Sequence, residues 1–278
     1  MVVGHPRILE LLPRLSAHTL LFTGPEGVGR RTVARWFCGY LNGDPSLLDY
    51  LEISPQLETK GGKKARNPQI LLEQIAPRDD AEGGSLLEWL QTYPRRKAKV
   101  GVIDGAHLLG ESAANALLKV LEEPPAFARL ILIAPSREVV LPTLVSRSLE
   151  VSFAPLPEAL LQQLTTDPDV LAFAEGSYGR AHWALHHPTE FGQLTSRTEG
   201  VLEALRGGPA QTLEALKLLL ELDDALPYLA RKLRQTIPPE SPQYRETLET
   251  FHRASEALSA YVSEDLVQTW LGVRLAGG

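Results

Sequence analysis

The sequence predicts an α/β domain built on a parallel sheet, then a small helical module, then an all-α bundle. Three observations carry this. Over residues 1–153, short apolar runs bounded by turn residues alternate with segments of helical periodicity, the pattern of buried parallel strands joined by crossover helices. A glycine frame, Gly24-Pro25-Glu26-Gly27-Val28-Gly29, lies between the first such run and a helical segment. From residue 195 onward the periodicity is helical throughout, broken by Gly207-Gly208-Pro209, Pro227 and Pro238-Pro239. The expected pieces are 1–153, 154–194 and 195–278, which suits a chain of 278 residues better than a single domain does.

The elements follow in order. Ile8, Leu9, Leu11, Leu12 and Leu15 share one face of a helix over 7–15. Thr19-Leu20-Leu21-Phe22-Thr23 is a short apolar run ending at Gly24 and reads as a buried strand. Val33, Ala34, Trp36, Phe37 and Leu41 predict a helix over 32–41. Residues 42–68 are polar and turn-rich, with a basic knot at Lys60, Lys63, Lys64 and Arg66, and read as an exposed, solvated loop, with a nucleic-acid contact as the alternative. A helix ends over Leu86–Thr92. Lys99–Asp104 is a second buried strand with an acid at its carboxyl end, and 112–121 is a helix stopped by Pro124-Pro125. Leu130–Ala134 and Leu149–Phe153 are two further strands. Short helices are expected around 158–164 and 170–175. The bundle helices are expected over 200–205, 210–221, 225–235, 243–260 and 265–275.

Composition excludes several classes. With 44% hydrophobic and 22% charged residues the chain is globular, and at a net charge of −6 it lacks the basic footprint of a sequence-reading DNA binder. The single cysteine, Cys38, can form neither an internal disulfide nor a four-thiolate zinc site. No secretory leader or run of membrane-spanning length is evident, so a cytoplasmic location is expected. Arg95, Arg96, Lys97 and Lys99, just before the second strand, are a solvated basic stretch or, less simply, a phosphate contact.

The glycine frame is that of a phosphate loop, G-x-x-x-x-G-K-[ST], whose backbone N–H groups cradle phosphates, whose Lys reaches the β- and γ-phosphates and whose hydroxyl holds Mg²⁺. Here Gly24, Gly27 and Gly29 stand, but the last two positions are Arg30 and Arg31. Arg30 keeps the charge in a bulkier fork. Arg31 offers no hydroxyl and repels a cation, and Thr32 lies about 100° further round the helix. On its own the frame also fits a glycine-rich turn with no nucleotide role. The second strand ends at Asp104, suited to Mg²⁺, but the next residue is Gly105, which cannot orient an attacking water. His107 has no acidic partner in sequence and reads as a structural or interface residue.

The stretch Glu111 to Pro125, ESAANALLKVLEEPP, closely resembles the A-A-N-A-L-L-K-x-L-E-E-P-P helix of bacterial clamp-loader subunits of DNA polymerase III. Val3-Gly4-His5 and the run from Leu20 to Gly29 resemble the same family's entry. The resemblance covers the first 153 residues well and the rest by architecture. It implies an AAA+ module with a parallel sheet, a small helical lid over 154–194 and a helical collar over 195–278 that oligomerises. It further implies that Arg147, in Leu144-Val145-Ser146-Arg147-Ser148 where the family carries S-R-C, is an arginine finger acting on a neighbour's ATP. The alternative for Arg147 is a surface residue. Gly176-Ser177-Tyr178-Gly179-Arg180 resembles the lid motif whose Arg senses phosphate, although beside a damaged loop Arg180 can equally pack locally. Many members carry a four-cysteine zinc module after the first helix, and this chain cannot, so no zinc is expected.

Taken together, the resemblance implies a non-hydrolysing subunit of the loader. It would bind no cofactor of its own, assemble in a hetero-pentamer with motor (tau/gamma) and clamp-opening (delta) subunits, and meet the sliding clamp and primed DNA through the complex. Two alternatives remain open: a slow ATPase in which Arg30 replaces Lys, and a pure scaffold with Arg147 in a structural ion pair.

Overall fold

The computed structural model describes residues 4–58, 64–77, 84–205, 209–222, 225–236, 240, 245–246, 249–251, 253–254 and 264–276. In chain order its elements are α1 (Pro6–Leu11), β1 (Thr19–Thr23), α2 (Arg30–Asn42), β2 (Tyr50–Ile53), β3 (Gln56–Glu58), β4 (Lys64–Gln69), α3 (Leu72–Ile75), α4 (Leu86–Gln91), β5 (Lys99–Asp104), α5 (Glu111–Glu122), β6 (Ala128–Ala134), α6 (Pro142–Val145), β7 (Leu149–Ser152), α7 (Glu158–Leu161), α8 (Pro168–Ala174), α9 (Tyr178–His186), α10 (Pro188–Ala204), α11 (Pro209–Leu220), α12 (Ala225–Thr236) and α13 (Glu264–Ala276). The chain divides into two compact units, Met1–Ala181 and His182–Gly278.

The first unit holds a five-stranded sheet in the order β2-β5-β6-β1-β7, parallel throughout. Strand alternation sends its side chains to two separate cores. On one face Leu21, Ile103, Leu130 and Leu132 meet Ala113, Ala114, Leu117 and Leu121 of α5 and Leu144 of α6. On the other, Leu20, Phe22, Val100, Val102, Ile131 and Ile133 meet Val33, Ala34, Phe37 and Cys38 of α2. Each fully buried Leu, Ile or Phe contributes about 1.5–3 kcal/mol, so both faces are firmly covered. The strand expectations at β1, β5, β6 and β7 agree with the structure to within two residues.

The span 42–68 departs from the expected loop. It contains β2, which pairs with β5 from Tyr50↔Val100 to Ile53↔Ile103, and the hairpin β3–β4. The reason is physical: β2 is a four-residue edge strand, every residue only partly buried, so it lacks the continuous apolar run that marks the central strands. Lys60 and Lys63 lie outside the described residues.

In the second unit α11 packs against both α10 and α13, burying Leu194, Val201, Leu216, Leu219, Tyr228, Leu229, Val267 and Leu271. Helix α10 runs unbroken through 194–195, and it starts at a proline in its first turn. Of the helix expected over 243–260, the described residues 245–246, 249–251 and 253–254 are helical. Among the described residues no helix is long and apolar enough to cross a membrane.

Candidate functional site

The carboxyl ends of β1, β5 and β6 lie side by side, the usual place for a ligand in an open parallel sheet. The glycine loop leaves β1 there. Gly24 has φ 138°, and a Cβ on it would fall 2.2 Å from the Phe153 carbonyl oxygen. Its N–H donates to the Pro135 carbonyl at 3.0 Å. Gly27 has φ 73°, and its carbonyl accepts the Gly179 N–H at 2.9 Å. A Cβ on Gly179 would sit 2.9 Å from the Gly27 Cα, so loop and α9 meet backbone to backbone, and both positions need glycine. Gly29, at φ 105°, caps α2. Val28, wholly buried, carries its carbonyl 2.9 Å from His5 Nε2, which donates in the tautomer that makes this bond.

The two arginines that follow are both engaged within the chain. Arg30 Nη1 donates to the Ala134 carbonyl at the end of β6, at 2.5 Å. Arg31 forms an ion pair with Glu52 and a second with Asp104 at 3.3 Å. Glu52 also accepts from Arg35 at 3.1 Å and from the Tyr50 hydroxyl at 2.6 Å. Glu52 and Asp104 end neighbouring strands, and their side chains are 11% and 26% exposed. The Arg31 guanidinium lies on both carboxylates, so a divalent cation approaching Asp104 would meet it there.

The electrostatics follow from this arrangement. Burial works to raise the pKa of Glu52, but the Tyr50 hydroxyl and the Arg31 and Arg35 guanidinium groups more than reverse it, and Glu52 lies below the ordinary range. Asp104 goes the other way. Burial raises it first, the neighbouring Glu52 adds to that, and Arg31 and Arg30 only partly compensate. Both acids share Arg31, yet Glu52 has three donors while Asp104 has the longer contact, so the opposite directions are consistent. Burial and the charge of Arg30 hold His107 below its usual value, and its Nδ1 is buried without a hydrogen-bond partner.

Arg147 sits one residue beyond the cap of α6 and is about one-third exposed. Its Nε and Nη2 both donate to Glu122 Oε1, at 3.0 and 2.5 Å, and its Nη1 to the Thr143 carbonyl at 3.1 Å and Ser146 Oγ at 3.3 Å. Arg180 lies at the start of α9, beside the Gly27–Gly179 contact. Its N–H donates to Ser177 Oγ at 3.1 Å, and its guanidinium is 4.0 Å from Glu175.

Sequence reasoning placed Gly24, Gly27, Gly29, Arg30, Arg31 and Asp104 together, and the structure brings them together. It missed Glu52, Tyr50 and Arg35. The signal was available in outline, because Tyr50-Leu51-Glu52-Ile53 resembles Val102-Ile103-Asp104 in having an acid near the end of an apolar stretch. It also missed Glu122 and Thr143 as partners of Arg147. Lys99 is not a surface residue: it is 3% exposed, donates to the Trp89 carbonyl and Thr92 Oγ1, and lies over the Trp89 ring. The backbone N–H groups of Arg95 and Arg96 are held by the buried Asp49 carboxylate at 2.8 and 2.7 Å. Those of Lys97 and Ala98 are held by Asn42 at 2.9 Å.

Residues 85–157 match the family model for the DNA polymerase III delta subunit. That span contains β5, Asp104, α5, Glu122 and Arg147. The chain is 32% identical over 173 residues to the tau/gamma subunit of DNA polymerase III from Haemophilus influenzae, covering 58% of this chain and 24% of that protein. It is 30% identical over 220 residues to the delta' subunit of Pseudomonas aeruginosa, covering 68% of this chain and 62% of that one. The chain belongs to the clamp-loader family of DNA polymerase III subunits. It spans about a quarter of the length of the first tau and tau/gamma relatives it matches. In fold, a gamma-subunit-related protein of Thermotoga maritima superposes with a TM-score of 0.60 at 18% identity, covering 98% of both chains. The α/β unit and the helical part that follows it thus have a fold shared with that gamma-subunit-related protein.

Proposed function

We propose that this clamp-loader relative is a subunit of the delta-prime type, which hydrolyses no ATP itself and lends Arg147 to the ATP site of a neighbouring motor subunit. The observation that carries the reading is Arg31 lying on both Glu52 and Asp104. A functioning site needs the strand-end acid, here Asp104, and a loop hydroxyl for Mg²⁺, and its first loop cation for phosphate. Here the acids are neutralised from within, and Arg30 is spent on a backbone carbonyl. Gly105 leaves no side chain to orient water. Residues 1–153 act as the AAA+ domain, 154–194 as its lid and 195–278 as the collar that joins the tau/gamma and delta subunits in the cytoplasm. Contact with the sliding clamp and primed DNA comes through that assembly.

The test is clamp- and DNA-stimulated ATP hydrolysis by the reconstituted loader, with this chain intact or as Arg147→Ala. The site served by Arg147 should lose about 10³-fold or more in rate, while the complex keeps its size. Undiminished hydrolysis would remove the finger. Mg²⁺-dependent turnover by the isolated chain, abolished by Asp104→Asn, would make it a slow ATPase instead.

A further inference from the structure

We infer that Glu122 is the positioning residue of Arg147, a role that rests on the reading of Arg147 as a finger. Glu122 is the last residue of α5 and is followed, after Glu123, by Pro124-Pro125. Arg147 follows α6. The two helices are fixed to each other through Leu117, Leu121 and Leu144 in one core, so the carboxylate and the base of the arginine are set by rigid elements rather than by a loose loop.

The guanidinium chemistry defines what the pair does. Nε–H and one Nη2–H reach the same oxygen, Glu122 Oε1, which places both on the side edge of the fork. The plane of the guanidinium is then fixed. Nη1 donates only to neutral acceptors, the Thr143 carbonyl and Ser146 Oγ. The end edge, one N–H each from Nη1 and Nη2, is the edge Glu122 does not take; Nη1 meets only neutral oxygens, at 3.1 and 3.3 Å, which an incoming phosphate outcompetes. A free arginine side chain must give up its rotamer freedom when it crosses a subunit boundary. One already held on its side edge gives up less. Glu122 itself need not touch nucleotide, because it acts through Arg147.

The experiment is a double-mutant cycle in the reconstituted loader, with Glu122→Gln, Arg147→Ala and both together, reading kcat and KM for ATP with clamp and primed DNA present. Glu122→Gln should lower kcat about two- to fivefold, the range an exposed, well-aligned ion pair covers, with KM unchanged and the complex intact by size. Glu122→Asp should restore part of the loss. In the Arg147→Ala background Glu122→Gln should change nothing further. Unchanged or raised hydrolysis in Glu122→Gln, or losses that add in the double variant, overturns the assignment and leaves the finger standing. If Arg147→Ala alone has no effect, the finger reading falls and this assignment with it.

Discussion

Arg31 and Arg147 both make ion pairs, and the two pairs differ in kind. Arg31 lies on two carboxylates at the ends of adjacent strands, with Glu52 only 11% exposed and bonded further to Arg35 and Tyr50. Arg147 lies on one carboxylate, Glu122, which is 54% exposed and has no second cation among the described residues. The first arrangement is a closed network, in which every charge is answered inside the fold. The second is a side chain held in place on a surface. The guanidinium groups do not differ in that direction, since Arg31 is 51% and Arg147 34% exposed; burial of the carboxylate and multiplicity of partners, rather than the presence of a salt bridge, separate a cation tied into the framework from one that is available to act.

That difference has a measurable size in stability. Glu52→Ala takes the shared acceptor from Arg31, Arg35 and Tyr50 and should cost about 1–2 kcal/mol, above the range of an exposed pair because the Glu52 side chain is itself largely buried, and below that of a buried pair because both guanidinium groups are about half exposed and reach water. Glu122→Ala should cost less than about 1 kcal/mol. Urea unfolding of the two variants gives the comparison directly, and equal costs would erase it.

Removing the internal cation should sharpen it. Arg31→Thr brings a hydroxyl to the loop and leaves Glu52 and Asp104 facing each other. Mg²⁺ should then raise the unfolding midpoint of the variant but not that of the parent chain, by about 1.4 kcal/mol at ten times the dissociation constant. An equal response in both proteins would mean that Arg31 does not stand in the cation's way.

The smallest effect is in acid. Glu52 has a folded pKa below its ordinary 4.5, so the stability it contributes is present above that value and is lost as the pH falls through the folded value. Asp104, raised above 3.8, holds its proton longer in the folded state and opposes this, because it makes stability fall as the pH rises through its window. Glu52→Gln removes the favourable partner only. Below pH 4.5 the variant should therefore lose less stability per pH unit than the parent, read as unfolding midpoints across that range. Identical slopes would show that Glu52 is not held in its charged form by the network.

Much of this was legible in sequence where burial is extreme. Strands β1, β5 and β6 read out because both faces are covered and their central positions form continuous apolar runs. The glycine loop read out because three positive φ angles demand glycine. Strand β2 did not, because an edge strand of four half-buried residues carries too little pattern to stand apart from a loop. Glu52 was hidden with it, and so was the knowledge that Arg31 has partners. Glu122 was on the page as part of a motif, but its meeting with Arg147, 25 positions on, depends on how α5 and α6 pack. Lys99 misled in the opposite way: its charge suggested the surface, while the carbonyl of Trp89 and the hydroxyl of Thr92 give its ammonium a place inside.

The contact between Gly27 and Gly179 also has a bearing on the order of assembly. It joins points about 150 positions apart, and the entropy of closing so long a loop must be met before the bond between them gains anything. As the chain leaves the ribosome, β1 and α2 emerge early, yet the carbonyl of Gly27 has no native partner until the first turn of α9 has followed. The glycine loop is therefore among the first parts of the unit to be made and among the last to be finished.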